Sequence, residues 1–304
     1  MSLTTVGARV GAAWEGLWFR AVPATSLGLM RLSLGLLLVI DHLWLWPQLH
    51  ALFSAEGPVP PAAAIGELPW PRLDWLDGLS DPRGFWLLAL LVYAAMAAGV
   101  GGRLTVLLAL LVQALLYHRD PFYQHGGDRV FRLATLSLAL VPCTAALSVD
   151  AWWSRRRGAD DGPRTVPILA HRLVQLQLVV IYMHSGFVKA QGSTWHEGTA
   201  LYYALSNGQY ARAPWLLEPL LRSDAFVLTS KVATWITLGW EAGFGLLVLW
   251  RPTRILALVI GLLVHGGIFF NLNVGSFSLV MLWCYQAWLD PAWVDRALAR
   301  LAGR

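Results

Sequence analysis

The chain has 304 residues, 57% of them hydrophobic and 13% charged, with 17 Trp, a net charge of +5 and a mean hydropathy of +0.53. These values exclude an ordinary soluble domain and point to a polytopic membrane protein, whose basic loops account for the charge without a nucleic-acid partner. Cys143 and Cys284 lie far apart in apolar runs with no CxxC pair, which leaves no redox dithiol or zinc framework.

The pattern predicts an all-α fold: a single domain over 1–304, with a surface helix at each end of a bundle of about eight transmembrane helices spanning 25–289. Residues 1–22 read as an amphipathic helix on the membrane, with Val10, Trp14, Leu17 and Trp18 on one side and Arg9 and Arg20 flanking. Span one covers 25–45 and carries Arg31, expected to snorkel, and Asp41-His42. Residues 46–83 are dense in Pro and Trp and read as a lid or re-entrant cover. Spans two (84–100) and three (104–117) flank a tight Gly101-Gly102-Arg103 turn. The segment His118 to Arg129 leads into span four (130–149), with Asp128 as its expected N-cap. A solvated loop with Arg155-Arg156-Arg157, Asp160 and Asp161 precedes span five. A second long extramembrane piece, 190–224, follows that span. Spans six (225–249), seven (253–271) and eight (277–289) complete the bundle. Asp290-Pro291 opens a basic C-terminal surface helix over 290–304.

With the N-terminus inside, thirteen arginines fall on inner segments and seven on outer ones. That bias predicts a cell-membrane protein with both termini cytoplasmic. The same topology gathers the ionisable residues of several spans in the outer half, which predicts an outward-facing site.

The stretch 173–205, LVQLQLVVIYMHSGFVKAQGSTWHEGTALYYAL, is the centre of that site. On a helix Gln175, Tyr182 and Lys189 share a face with Ser185 and Gly186, while Gln177 and His184 share another. Of 23 basic residues only two are Lys, at 189 and 231. Lysine, unlike arginine, can release its proton when desolvated and serve as a base. The turn Trp195-His196-Glu197-Gly198 is expected to fold back over the end of span five, with Glu197 near Lys189. No two of the eight histidines stand three or four residues apart, so no metal is expected.

Span five and its exit resemble the signature of the HTTM family, membrane homologues of vitamin K-dependent gamma-carboxylase. Arg31, the HGGD segment before span four, and His265 followed by Phe277-Ser278 match as well, so the resemblance covers roughly 27–289. In the animal carboxylase a lysine base deprotonates a reduced quinone, and oxygen converts it to a strong base. That base takes a proton from glutamate, which carbon dioxide then carboxylates. Gly186-Phe187-Val188-Lys189 with Trp195 matches the motif that holds that lysine. The resemblance carries over Lys189 as the base. Around it the candidate site takes His184 and Glu197 as further catalytic residues, and Tyr182, Trp195, His265, Asp128 and His125 as cofactor-binding residues. The implied ligands are a reduced quinone or other lipid, with carbon dioxide and oxygen as co-substrates, and the bilayer and a small secreted peptide are the partners. Three departures stand against protein-glutamate carboxylation. Val188 replaces the second lysine, Gly-Gly-Asp stands where the carboxylase has its histidine, and no stretch is left for a propeptide-recognition domain. Relatives tied to bacterial peptide-toxin maturation suggest the alternative, a non-catalytic membrane factor in the maturation or export of a secreted peptide.

Overall fold

The computed structural model describes residues 3–58, 73–119, 125–158 and 164–303. Residues 59–72 of the expected lid, Asp120 to Gln124, and Asp160 with Asp161 lie outside the described residues. The chain is all-α apart from one small ribbon, and it divides into two compact units, Met1–Val174 with Gln286–Arg304, and Gln175–Tyr285.

The first unit opens with α1 (Leu3–Trp18), whose Val10, Trp14 and Leu17 are exposed. Strand β1 (Ala21–Pro23) leads into α2 (Ala24–Leu45). A 3-10 turn and α3 (Leu49–Phe53) continue that helix, and α4 (Asp74–Asp77) follows. Next come α5 (Arg83–Ala98), α6 (Gly102–Arg119), α7 (Gly126–Ala139) and α8 (Val149–Arg156). Strand β2 (Thr165–Pro167) pairs antiparallel with β1, Val22 opposite Val166. Helix α9 (Leu169–Lys189) begins in this unit, and α16 (Pro291–Leu301) returns to it.

Helix α2 is the axis of the unit and packs most extensively on α5. Gly35 makes that crossing close, because a Cβ there would stand 2.7 Å from the Cα of Ala97. Such tight contact between small residues is how helices associate where lipid, not water, surrounds them. Helix α16 is held on the same axis, with Asp295 accepting a 2.5 Å hydrogen bond from Thr25.

Arg31 corrects the snorkelling expectation. Its side chain is fully buried and donates to the carbonyls of Met96, Ala97 (2.6 Å), Cys143 (3.3 Å) and Leu147 (2.5 Å). Met96 and Ala97 belong to the last turn of α5, where carbonyls run out of helical partners, and among the described residues Met96 O otherwise accepts only from the cap amide of Gly99 at 3.1 Å. Leu147, at φ 49°, turns the chain toward the guanidinium. The fork of donors thus closes one helix end and one irregular segment together.

Expected span four is the second correction. Helix α7 stops at Ala139, and 140–148 forms turns before the polar surface helix α8. Pro142 cannot donate a backbone hydrogen bond and crowds the preceding turn, although the apolar composition continues beyond it. Ser148 then caps α8 by accepting from Ala151 N at 3.0 Å.

The second unit holds the remainder of α9, then α10 (Ser193–His196), α11 (Ala200–Ser206) and α12 (Pro214–Leu221). Helices α13 (Asp224–Leu249), α14 (Arg251–Asn271) and α15 (Phe277–Trp283) complete it, α15 running on as a 3-10 helix. Helices α13 and α14 form an antiparallel hairpin, with Trp240 Nε1 donating to Ala257 O at 2.8 Å. Leu205, Ala211 and Leu217 form a small apolar cluster with Leu201, Phe226 and Leu272.

Among the described residues, Ala24–Phe53, Asp224–Leu249 and Arg251–Asn271 are long and apolar enough to cross a membrane. Arg83–Ala98 is apolar but shorter. Ile255, Leu263 and Phe270 of α14 are 70–74% exposed, a surface suited to lipid.

Replacing Arg31 by Met strands its buried carbonyls and should cost about 3 kcal/mol or more. For a unit of this size, that lowers Tm by about 6–12 °C. Thermal melts of the purified protein in detergent check this, and an unchanged Tm would refute the capping role.

Candidate functional site

The residues that come together lie in the second unit, on α9, α13, α14 and the start of the 3-10 helix. Tyr182, Ser185, Gly186 and Lys189 share the inward face of α9, as their spacing requires. Gly186 brings that face against α13, because a Cβ at 186 would strike the backbone of Glu241 and Ala242. The close approach sets Glu241 opposite Lys189. Lys189 Nζ lies 2.6 Å from Glu241 Oε1 and 2.7 Å from Oε2, and Ser185 Oγ donates to Oε2 at 3.0 Å. The Glu241 side chain is 8% exposed and that of Lys189 26%. A buried carboxylate with two donors on it is electrostatically complete.

Trp195 lies over the ammonium of Lys189, 4.7 Å from ring centroid to Nζ. The turn after α9 therefore does fold back over Lys189, but it brings an indole and not a carboxylate. This corrects the placement expected of Glu197. Glu197 is exposed and terminates α10, and the acid that meets Lys189 is Glu241, 52 residues away in sequence. His196 donates through Nε2 to Ala190 O at 2.6 Å, which closes the end of α9. His184 is exposed on the opposite stripe of α9, away from this group.

A second set of polar atoms lies one helical turn away on the same face. Tyr182 Oη lies 2.7 Å from His265 Nε2 on α14 and 3.0 Å from Tyr285 Oη. Tyr182 and His265 are each 2% exposed, and Trp240, Phe244 and Phe277 pack around them. Tyr285 reaches the pair across Gly261, where any side chain would collide with its hydroxyl. The Nδ1 of His265 is buried without a hydrogen-bond partner. One polar atom in this apolar nest can thus still engage a small oxygen-bearing group.

Lys231 lies over Trp235 at 5.2 Å and beneath Gly198, beside the turn that covers Lys189. The piece after α9 runs along α13, with Trp235 Nε1 donating to His196 O at 3.0 Å and Leu201 N donating to Thr234 Oγ1 at 3.2 Å.

His125 and Asp128 make their contacts in the first unit and close the start of α7. His125, not Asp128, is the N-cap: its Nδ1 accepts from Gly127 N at 2.9 Å, and Asp128 accepts from His125 N at 2.8 Å. Asp128 also lines a cavity of about 30 Å³ with Asp41, His42, Gln113 and Arg132, room for a water or two. His42 is clamped between Trp86 and Tyr93, at centroid distances of 4.7 and 4.6 Å. Among the described residues no group of three or more His, Cys, Asp or Glu is placed to hold a metal.

Glu241 and Tyr285 were not singled out by sequence as site residues. A lone acid in an apolar span signals a partner, but helical spacing cannot name one on another helix.

Removing either member of the Lys189–Glu241 pair strands the other. Lys189→Met and Glu241→Leu should each cost about 2–3 kcal/mol, below the full buried-pair figure because Lys189 is partly exposed. The double variant should recover most of that loss. Gly186→Val should mimic the single losses by forcing the helices apart. Thermal melts of the four variants test this, and additive losses in the double variant would show that the two side chains are not coupled.

The HTTM domain model matches residues 19–293. Over 173 residues the chain is 27% identical to "Sporulation-delaying protein SdpB" of Bacillus subtilis (strain 168), covering 55% of this chain and 51% of that protein. It is also 27% identical over 181 residues to "Uncharacterized protein YitO" of the same strain, covering 55% and 54%. The chain thus matches about half the length of each of these relatives. No solved structure matches it. With the family model covering nearly the whole chain, this membrane protein belongs to the HTTM family.

Proposed function

We propose that this protein is a factor of the cell membrane that serves in the maturation or export of a small secreted peptide, with Lys189 acting as an ion-paired cation and not as a free base. The observation that carries this reading is the grip of both Glu241 oxygens on Lys189, closed over by Trp195. An ammonium has no lone pair to offer, and its Nζ is here engaged by both carboxylate oxygens. The likeness to a sporulation-delaying protein supports a role outside carboxylation, as do the family members tied to peptide toxins.

The second reading is a quinone-dependent carboxylase- or epoxidase-type enzyme with oxygen and carbon dioxide as co-substrates. One observation supports it: the unpaired His265 Nδ1, beside Tyr182 in an aromatic nest, offers a polar partner of the kind a quinone oxygen needs. A reduced quinone would supply the reducing equivalents there. Lys189 as held by Glu241 does not fit the part of its free base.

Lys189→Arg separates the readings. Arginine keeps the charge and can pair with Glu241 through two donors, but it cannot give up its proton. Secreted peptides from cells lacking the protein and complemented with each variant can be compared by mass spectrometry. The factor reading expects near-native peptide output from Lys189→Arg. A folded variant whose output falls about 10²–10⁴-fold would establish the base instead.

The proposed topology is eight spans with both termini cytoplasmic. Helix α7, at 14 residues, is short for a span. The irregular segment that extends it is consistent with membrane depth because Arg31 and Arg103 satisfy its carbonyls, Arg103 donating to Ala139 O at 2.9 Å. Cysteine labelling of intact cells should leave Arg156→Cys unlabelled by an impermeant reagent and label Gly208→Cys. The reverse pattern would overturn both the topology and the outward-facing site.

A further inference from the structure

Helix α8 differs from the other described helices of the first unit in carrying a dense pairing of indoles and guanidiniums. Trp152 and Trp153 are 48% and 49% exposed, with ring centroids 5.9 Å apart. The guanidinium of Arg156 lies 4.3 Å over Trp152, and that of Arg157 lies 5.0 Å over Trp153. Arg155 precedes them, and Arg164 reaches Ser154 Oγ at 3.4 Å. Stacking on an indole orients a guanidinium without neutralising it, so its edge donors stay available to an oxyanion.

The helix is also anchored. Its own acid, Asp150, is used by the backbone amides of Gly101 (3.2 Å) and Gly102 (2.7 Å) in the turn between α5 and α6. Among the described residues no carboxylate lies within salt-bridge distance of Arg155, Arg156 or Arg157. Asp160 and Asp161 lie outside the described residues.

We propose that α8 is a binding platform for the headgroup of an anionic phospholipid. Arg155, Arg156, Arg157 and Arg164 take the phosphate, and Trp152 and Trp153 set the depth of the helix at the bilayer surface. The chemistry selects this occupant in two ways. Guanidiniums present paired donors that match phosphate oxygens, and each basic residue near an anionic surface adds to the attraction. Exposed indoles favour the level of the headgroups in a membrane protein. A free anion would have no use for the two indoles. The inference does not depend on the function proposed above.

The test is native mass spectrometry of the full chain from detergent with equal phosphatidylglycerol and phosphatidylcholine. The protein should retain phosphatidylglycerol selectively, and added salt should erode that preference. Replacing Arg155, Arg156 and Arg157 together by Gln should reduce the selectivity about tenfold or more. Trp152→Leu with Trp153→Leu should weaken retention of both lipids while leaving their ratio nearly unchanged. Should the triple variant fail to fold, Arg156→Gln alone and the salt titration of the native protein carry the test. Equal retention of the two lipids by the native protein would overturn the proposal. So would a preference unmoved by salt or by loss of the arginines, or full displacement of the phospholipid by inorganic phosphate.

Discussion

A cation buried among apolar helices has to be met by acceptors, because the surroundings offer it almost no solvation. Arg31 in the first unit and Lys189 in the second show two ways of meeting that demand, and much else follows. In the first unit Arg31 draws to itself the last turn of α5 and the irregular segment after α7. Those carbonyls would otherwise be as costly as the guanidinium, so each deficit cancels the other. In the second unit Lys189 is met by a carboxylate, and a serine and an indole complete the enclosure. The first solution spends neutral dipoles on a permanent charge. The second sets charge against charge and leaves the pair able to exchange partners.

Both solutions depend on helices approaching closer than ordinary side chains permit. Ala97 lies on Gly35 in the first unit, and Ala242 lies on Gly186 in the second. Gly261 plays the same part for Tyr285, whose hydroxyl would otherwise be turned away from Tyr182. Small residues here determine which polar atoms can touch, so they specify the site as directly as the residues that carry its chemistry.

The helices of the bundle were legible in the sequence because apolar length and helical periodicity are local properties. The inward face of α9, with Tyr182, Ser185, Gly186 and Lys189, followed from spacing alone. What spacing could not supply was anything that depends on a second helix. Glu197 was chosen for Lys189 because it is near in the chain, whereas Glu241 is near in space. Arg31 was read as an interfacial residue because carbonyls left over at other helix ends have no sequence signature. The end of α7 was marked by Pro142 and Ser148, but hydropathy continues across both and hides them. His125 and Asp128 stood in a recognisable turn, and the order of their capping roles depends on side-chain geometry that the HGGD pattern does not express.

The position of Glu241 along its helix carries one more consequence. It stands 17 residues past Asp224, so the ion pair lies about 25 Å down α13 from the start of that helix. If α13 crosses the bilayer, the chain leaving α9 at Lys189 emerges not at the surface but well within it. The backbone of 190–199 is irregular there, turning through a short helix beside Lys231, Thr234 and Trp235. Irregular backbone at such depth persists only against protein or beside water. The stretch meets that condition along α13, where Thr234 and Trp235 take up its backbone groups and hold the indole cover over the lysine.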